Sequence, residues 1–182
     1  QKKSVILKAQ EVFSLSVLAE LSYSSWLNKD NKDFKPAVAV NCPTSMRIEE
    51  IANAFNAKVF RAEVREANVV KRACEKRNQG FDVRIFGEGS NGGTITYPSA
   101  VRDPLNTIFA IIKLLSIKDL FKIWCEKTGS QYKDDFSLTD ILNTLPKYTT
   151  TGVSEKRAIL KIKTTDHSLL KSRFQRVFEQ EY

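Results

Sequence analysis

The chain has 182 residues, 42% of them hydrophobic and 27% charged, enough apolar material for one real core and the beginning of a second. Glu11 and Glu20 break the most apolar stretch, so nothing reaches the roughly 18 uninterrupted apolar residues of a membrane span, and a soluble globular protein is expected. A formal charge of +8 admits nucleic acid as a partner, but the basic residues are mixed with acids and form no run interleaved with aromatics.

Ile6, Ala9, Phe13, Val17 and Leu21 recur at helical spacing and predict one long helix over residues 5–27. The charged stretch 28–36 reads as a solvated loop, and 37–41 as a short apolar strand. Pro43, Thr44 and Ser45 are expected to open the next helix, their hydroxyls capping its free N–H groups, with Ile48, Ile51, Ala52 and Phe55 buried. Asn56 suits the left-handed residue that closes it. Residues 58–62 read as a second strand, 66–76 as a helix closed by Asn78-Gln79-Gly80, and 81–86 as a third strand that alternates as if half-buried. After a glycine-rich loop and an extended piece at 94–97, Asp103-Pro104 pairs a capping residue with proline at the first helical position. Leu105, Ile108, Phe109, Ile112 and Leu115 then predict a strongly buried helix. Ile117, Leu120, Phe121 and Trp124 mark another, and Leu138, Ile141, Leu142 and Leu145 a short third. At Pro146 the character changes: 147–152 is linker-like, 157–163 reads as a strand and 166–179 as an amphipathic helix.

Strands alternating with helices imply an α/β fold: a three-layer α/β/α domain with a small mixed sheet over residues 1–145, then a strand-helix tail over 146–182. Cys42, Cys74 and Cys125 are odd in number and widely spaced, which speaks against a disulfide framework or a zinc site and for a reducing cytoplasm. The single histidine, His167, leaves a catalytic triad or multi-histidine metal centre without its parts, and it reads as a first-turn helix residue facing water. The opening Gln1 and the absence of a leader pattern read as an excised piece of a longer protein.

The stretch richest in chemistry is Gly87-Glu88-Gly89-Ser90-Asn91-Gly92-Gly93. Glycine reaches positive φ freely and lets backbone approach a ligand closely, so this loop is able to wrap a small polar molecule, with Glu88, Ser90 and Asn91 supplying hydrogen bonds. Its Gly-x-Gly-x-x-Gly spacing matches the dinucleotide fingerprint. However, β-branched residues and a proline follow where a helix must start. A phosphate-cradling loop lacks its lysine, and a kinase-type glycine loop lacks the catalytic motifs that should follow Lys113. A carboxylate suits paired sugar hydroxyls better than phosphate. A tight turn joining two strands, with no ligand, accounts for the same residues.

This loop, with Tyr97-Pro98 and Arg102-Asp103 after it, resembles the sugar-binding loop of the α-D-phosphohexomutases, the phosphoglucomutase and phosphomannomutase family, in the third of that family's four domains. Pro43-Thr44-Ser45, Phe55-Asn56-Ala57-Lys58-Val59 and Val64-Arg65-Glu66-Ala67-Asn68 add support, so that the resemblance spans residues 37–115. It implies an isomerase that interconverts hexose 1-phosphate and hexose 6-phosphate through a phosphoserine and a bisphosphorylated sugar. Mg2+ and a hexose bisphosphate activator belong to the full-length enzyme. By position, Glu88 accepts from sugar hydroxyls, Ser90 and Asn91 are further contacts, and Gly89 belongs to the same substrate-binding loop. Arg65 stands where the family usually has Gly, and Ala67 where a lysine is often found, with Lys71 the substitute. Arg65 either contacts a substrate phosphate or is an exposed arginine at a helix start. The nucleophilic serine loop, the metal loop and the phosphate loop have no counterpart here. The resemblance therefore implies a chain with no catalytic or metal-ligating residue of its own, partnered by hexose phosphate and by domains 1, 2 and 4, and inactive alone. A non-catalytic basic α/β module binding nucleic acid or a protein is the alternative, and a carbohydrate-binding module without phosphate chemistry a third.

Overall fold

The computed structural model describes residues 6–148, 163 and 165–181. The chain divides into two compact units, Gln1–Tyr148 and Thr149–Tyr182. In the first, the elements run α1 (Ala9–Leu27), β1 (Pro36–Asn41), α2 (Arg47–Ala54), β2 (Lys58–Ala62), α3 (Glu66–Asn78), β3 (Asp82–Glu88), β4 (Gly93–Thr96), α4 (Pro104–Ser116), α5 (Lys118–Thr128) and α6 (Leu138–Thr144). The second unit contributes α7 (His167–Glu181), which begins at the exposed His167 and buries none of its side chains. The strand expected at 157–163 lies outside the described residues, apart from Lys163.

The sheet has the order β2-β1-β3-β4, with β1 parallel to both neighbours and β4 antiparallel to β3. This is the small mixed sheet expected of an α/β fold. All six residues of β1 are buried, as a central strand covered on both faces requires. Val38, Val40 and Ile85 face a core shared with α1, α2, α5 and α6, while Ala37, Ala39, Val83 and Phe86 face a smaller core closed by α3. Val83 and Ile85 are two apart yet lie on opposite faces because the β1–β3 register shifts between Ala37 and Val38. That bulge inserts Arg84, whose Nε reaches Glu20 at 3.4 Å. The half-buried alternation expected of 81–86 is thereby replaced by a strand that is mostly buried.

Helix α1 is enclosed on nearly all sides from Phe13 to Ser22. Two of its buried serines turn back on the helix: Ser14 Oγ donates to Gln10 O at 2.6 Å and Ser16 Oγ to Val12 O at 3.1 Å. Glu20, also buried, pairs with Arg84 and Lys113. Asn56 closes α2 with φ of 54°, as its tolerance for the left-handed region predicts.

Two sequence expectations are corrected. Thr44 does not cap α2; Met46 at the N-cap makes no side-chain bond, and of the two expected hydroxyls only Ser45 Oγ accepts from the helix, from Arg47 N at 3.4 Å. The Thr44 hydroxyl instead donates to Asn41 Oδ1 at 2.6 Å and accepts from Gly89 N at 3.0 Å. Helix α4 does not bury the face its periodicity marks. Leu105, Ile108, Phe109 and Ile112 are exposed, and the helix seats on Ala110 and Leu114. Eight apolar residues in thirteen give α4 two apolar faces, and only one is covered by a neighbour among the described residues.

Candidate functional site

The carboxyl ends of the parallel strands β1, β2 and β3 share one rim of the sheet, where ligands of open α/β sheets bind. Asn41, Arg65 and Glu88 meet there. Glu88 closes β3, and the four residues after it, Gly89 to Gly92, turn the chain directly into antiparallel β4.

The Glu88 carboxylate is 3% exposed and fully engaged. Oε1 accepts from Asn41 Nδ2 at 3.0 Å and from the Arg65 backbone N at 3.0 Å. Oε2 accepts from Asn91 Nδ2 at 3.1 Å and from Arg102 Nη2. Arg102 also holds Glu66 at 2.6 Å, bridging β3 and the start of α3. Burial pushes the Glu88 carboxyl upward. The hydrogen bonds from Asn91, the Arg65 N–H and Asn41, with the Arg102 charge, outweigh it, so the group titrates below its ordinary value and is an anion at neutral pH. A carboxylate offers about four acceptor directions, and here four protein donors meet its two oxygens, so a sugar hydroxyl reaches Glu88 only by displacing one of them.

The glycines follow the same logic. A Cβ on Gly87, whose φ is 146°, would stand 1.9 Å from Gly93 O. One on Gly89 would meet Gln10 Oε1 at 2.7 Å, and one on Gly93 would meet Arg102 Nε at 2.8 Å. A bare backbone is required at Gly87 by the carbonyl it faces, while at Gly89 and Gly93 the nearest atoms belong to the side chains of Gln10 and Arg102. Asn91, besides holding Glu88, accepts from Gly93 N at 3.1 Å, an Asx-type brace across the turn. Ser90 is exposed at its tip.

Arg65 is an exposed residue at the N-cap of α3, as one reading of it expected, but its backbone is unusual. With φ of 123° it occupies a region suited to glycine. The Glu88 bond to its N–H holds it there. Its guanidinium has no hydrogen bond or ion pair among the described residues.

A concavity of about 360 Å3 opens beside the loop. Asn91, Gly93, Thr94, Arg102, Thr107 and Ile108 are among the residues that line it. Thr94 is 2% exposed and its Oγ1 has no hydrogen-bond partner among the described residues. Sequence reasoning missed Thr94, Asn41 and Arg102 as parts of the site. Arg102 was visible only as a motif residue, and Asn41, 47 positions from Glu88, carried no local signal.

Fold and rim together define an α/β domain that holds a preformed, ionised carboxylate at the ends of its parallel strands. No protein-family model matches the chain, and no curated protein is significantly similar to it. Among the described residues no three His, Cys, Asp or Glu side chains converge as metal ligands, and no helix is long and apolar enough to cross a membrane.

Proposed function

We propose that this chain is the sugar-recognition domain of a phosphohexomutase, an isomerase that moves a phosphoryl group between the 1- and 6-oxygens of a hexose. The observation that carries the proposal is the Glu88 carboxylate, kept charged at the strand-end rim by donors set around it. Two of those donors, Asn91 and Arg102, come from exposed or half-exposed side chains. The Asn91 amide then occupies the place of a sugar hydroxyl: when substrate arrives, a hydroxyl donates to Glu88 Oε2 and Asn91 swings out. Exchanging one neutral hydrogen bond for another costs little, so the carboxylate is preorganised without being blocked. Ser90 and the Arg65 guanidinium extend the surface toward the hydroxyls and phosphate. The phosphoserine, the magnesium and the bisphosphorylated sugar belong, in this reading, to parts of the enzyme outside this chain.

The fully satisfied carboxylate supports a second reading, in which the loop is a structural clasp between β3 and β4 with no ligand. Titration of 15N-labelled chain with glucose 6-phosphate separates the two. The sugar reading expects saturable shifts in the amides of residues 88–93, weakened by Ser90→Ala and retained or strengthened by Asn91→Ala. Shifts confined to other residues, or none, leave the clasp. The sugar reading also expects no turnover of glucose 1-phosphate by the chain alone in a coupled assay.

A further inference from the structure

A second cavity lies away from the glycine loop. It measures about 740 Å3 and opens between the start of α1, the first turn of α2, and α6 with the residues after it. Its size falls in the range of small-molecule sites, roughly 300–1,000 Å3. Leu7, Leu138, Leu142 and Leu145 give it apolar walls. Arg47 stands among them.

Arg47 is 5% exposed. Its Nη2 donates to Tyr148 O at 3.3 Å, its Nε has no acceptor, and no carboxylate lies within ion-pair distance of it among the described residues. A guanidinium taken out of water normally finds an anion, because desolvating an uncompensated cation is costly. Four other groups bear on the charge of this cavity. Lys8 and Lys147 line it and are exposed to solvent. Glu11 lines it too, but its Oε2 is committed to the Lys8 backbone N at 2.7 Å, where it closes the first turn of α1. Glu50 is bonded to the Tyr148 hydroxyl. Three cations therefore face a single spoken-for carboxylate within the cavity.

We infer that this cavity is a binding site for a small organic anion, a phosphate or carboxylate carried on an apolar body. The anionic head pairs with Arg47, whose planar fork suits both groups. Lys8 and Lys147 close over it from the mouth, and the body packs on Leu138, Leu142 and Leu145. The site is separate from the Glu88 rim and stands or falls independently of the sugar reading.

The full chain is titrated with phenyl phosphate, benzoate and inorganic phosphate while the arginine Nε–Hε signals are followed by NMR; the Arg47 signal is assigned from its loss in Arg47→Lys. Saturable movement of that signal is expected with phenyl phosphate or benzoate, the tighter of the two identifying the preferred head group. Inorganic phosphate, which gains nothing from the leucine walls, binds about tenfold more weakly or worse. Lys8→Ala with Lys147→Ala, both at exposed positions that leave the fold intact, weakens either organic probe severalfold. Leu142→Ala weakens the organic probes and leaves inorganic phosphate unchanged. An Arg47 signal that none of the three probes moves in the folded protein overturns the inference. So does binding that is indifferent to the two lysines, or equal affinity for phenyl phosphate and inorganic phosphate.

Discussion

Glu88 shows how burial and hydrogen bonding compete at one residue. Glu88→Gln keeps the shape but turns an acceptor pair into an amide that meets the donors of Asn41, Arg65 or Arg102 with its own NH2. Because Arg102 is 41% exposed and keeps Glu66, the full penalty of a broken buried ion pair does not apply, and the loss expected in urea unfolding at neutral pH is about 1–3 kcal/mol. The pH dependence has a definite sign. The folded carboxyl titrates below its usual 4.5, so its stabilisation is complete above that value and is lost as pH falls through the lower folded value. The stability gap between wild type and Glu88→Gln should close as urea midpoints are followed into that acidic range. Arg65 gives the opposite sign. Relieving a backbone held at φ of 123° returns about 1–3 kcal/mol, against about 0.4–1 kcal/mol for the freer unfolded chain of glycine, so Arg65→Gly should raise the thermal midpoint. Gly87→Ala should be far worse than Gly80→Ala. Both positions have positive φ, but the first adds a Cβ 1.9 Å from a carbonyl oxygen and the second meets nothing within 4 Å. Expected losses are roughly 3 kcal/mol or more against about 1 kcal/mol.

Among the elements, α4 separates periodicity from burial. Phe109→Ser, on its open face, should change stability by no more than about 0.5 kcal/mol, whereas Leu114→Ala, at 0% exposure, should cost about 2–5 kcal/mol. Chemical denaturation of both variants decides which face is seated. The contrast also shows what the sequence discloses. Spacing reports that a helix has an apolar stripe, and it cannot report whether a neighbour covers it, so the existence of α4 was legible and its orientation was not. Asn56 and the Asp103-Pro104 start were legible because local backbone chemistry fixes them: Asp103 Oδ1 accepts from Leu105 N at 2.9 Å. The assembly around Glu88 was not, since Asn41, Arg65, Asn91 and Arg102 are gathered by the sheet from three separate stretches. The bulge at Arg84 escaped for a related reason, being a property of pairing with β1 and absent from the strand read alone.

At the scale of the whole molecule, protection should be graded. Backbone amides of α1 between Phe13 and Leu21, buried throughout, should exchange with solvent only on global unfolding. Those of α7, fifteen residues with no buried side chain, should exchange first, because no buried apolar face adds to the marginal stability of a helix of that length in water. Hydrogen exchange followed by mass spectrometry checks the order. The sheet's two borders have a consequence of their own. On one side lies β2, five residues long with Lys58 and Arg61 along it; on the other lies β4, four residues long and soon followed by Pro98, which has no N–H to donate. Neither border offers a long, uncharged backbone ladder to a stray strand, so concentrated solutions of the folded protein should resist growth of fibrils by edge-to-edge addition.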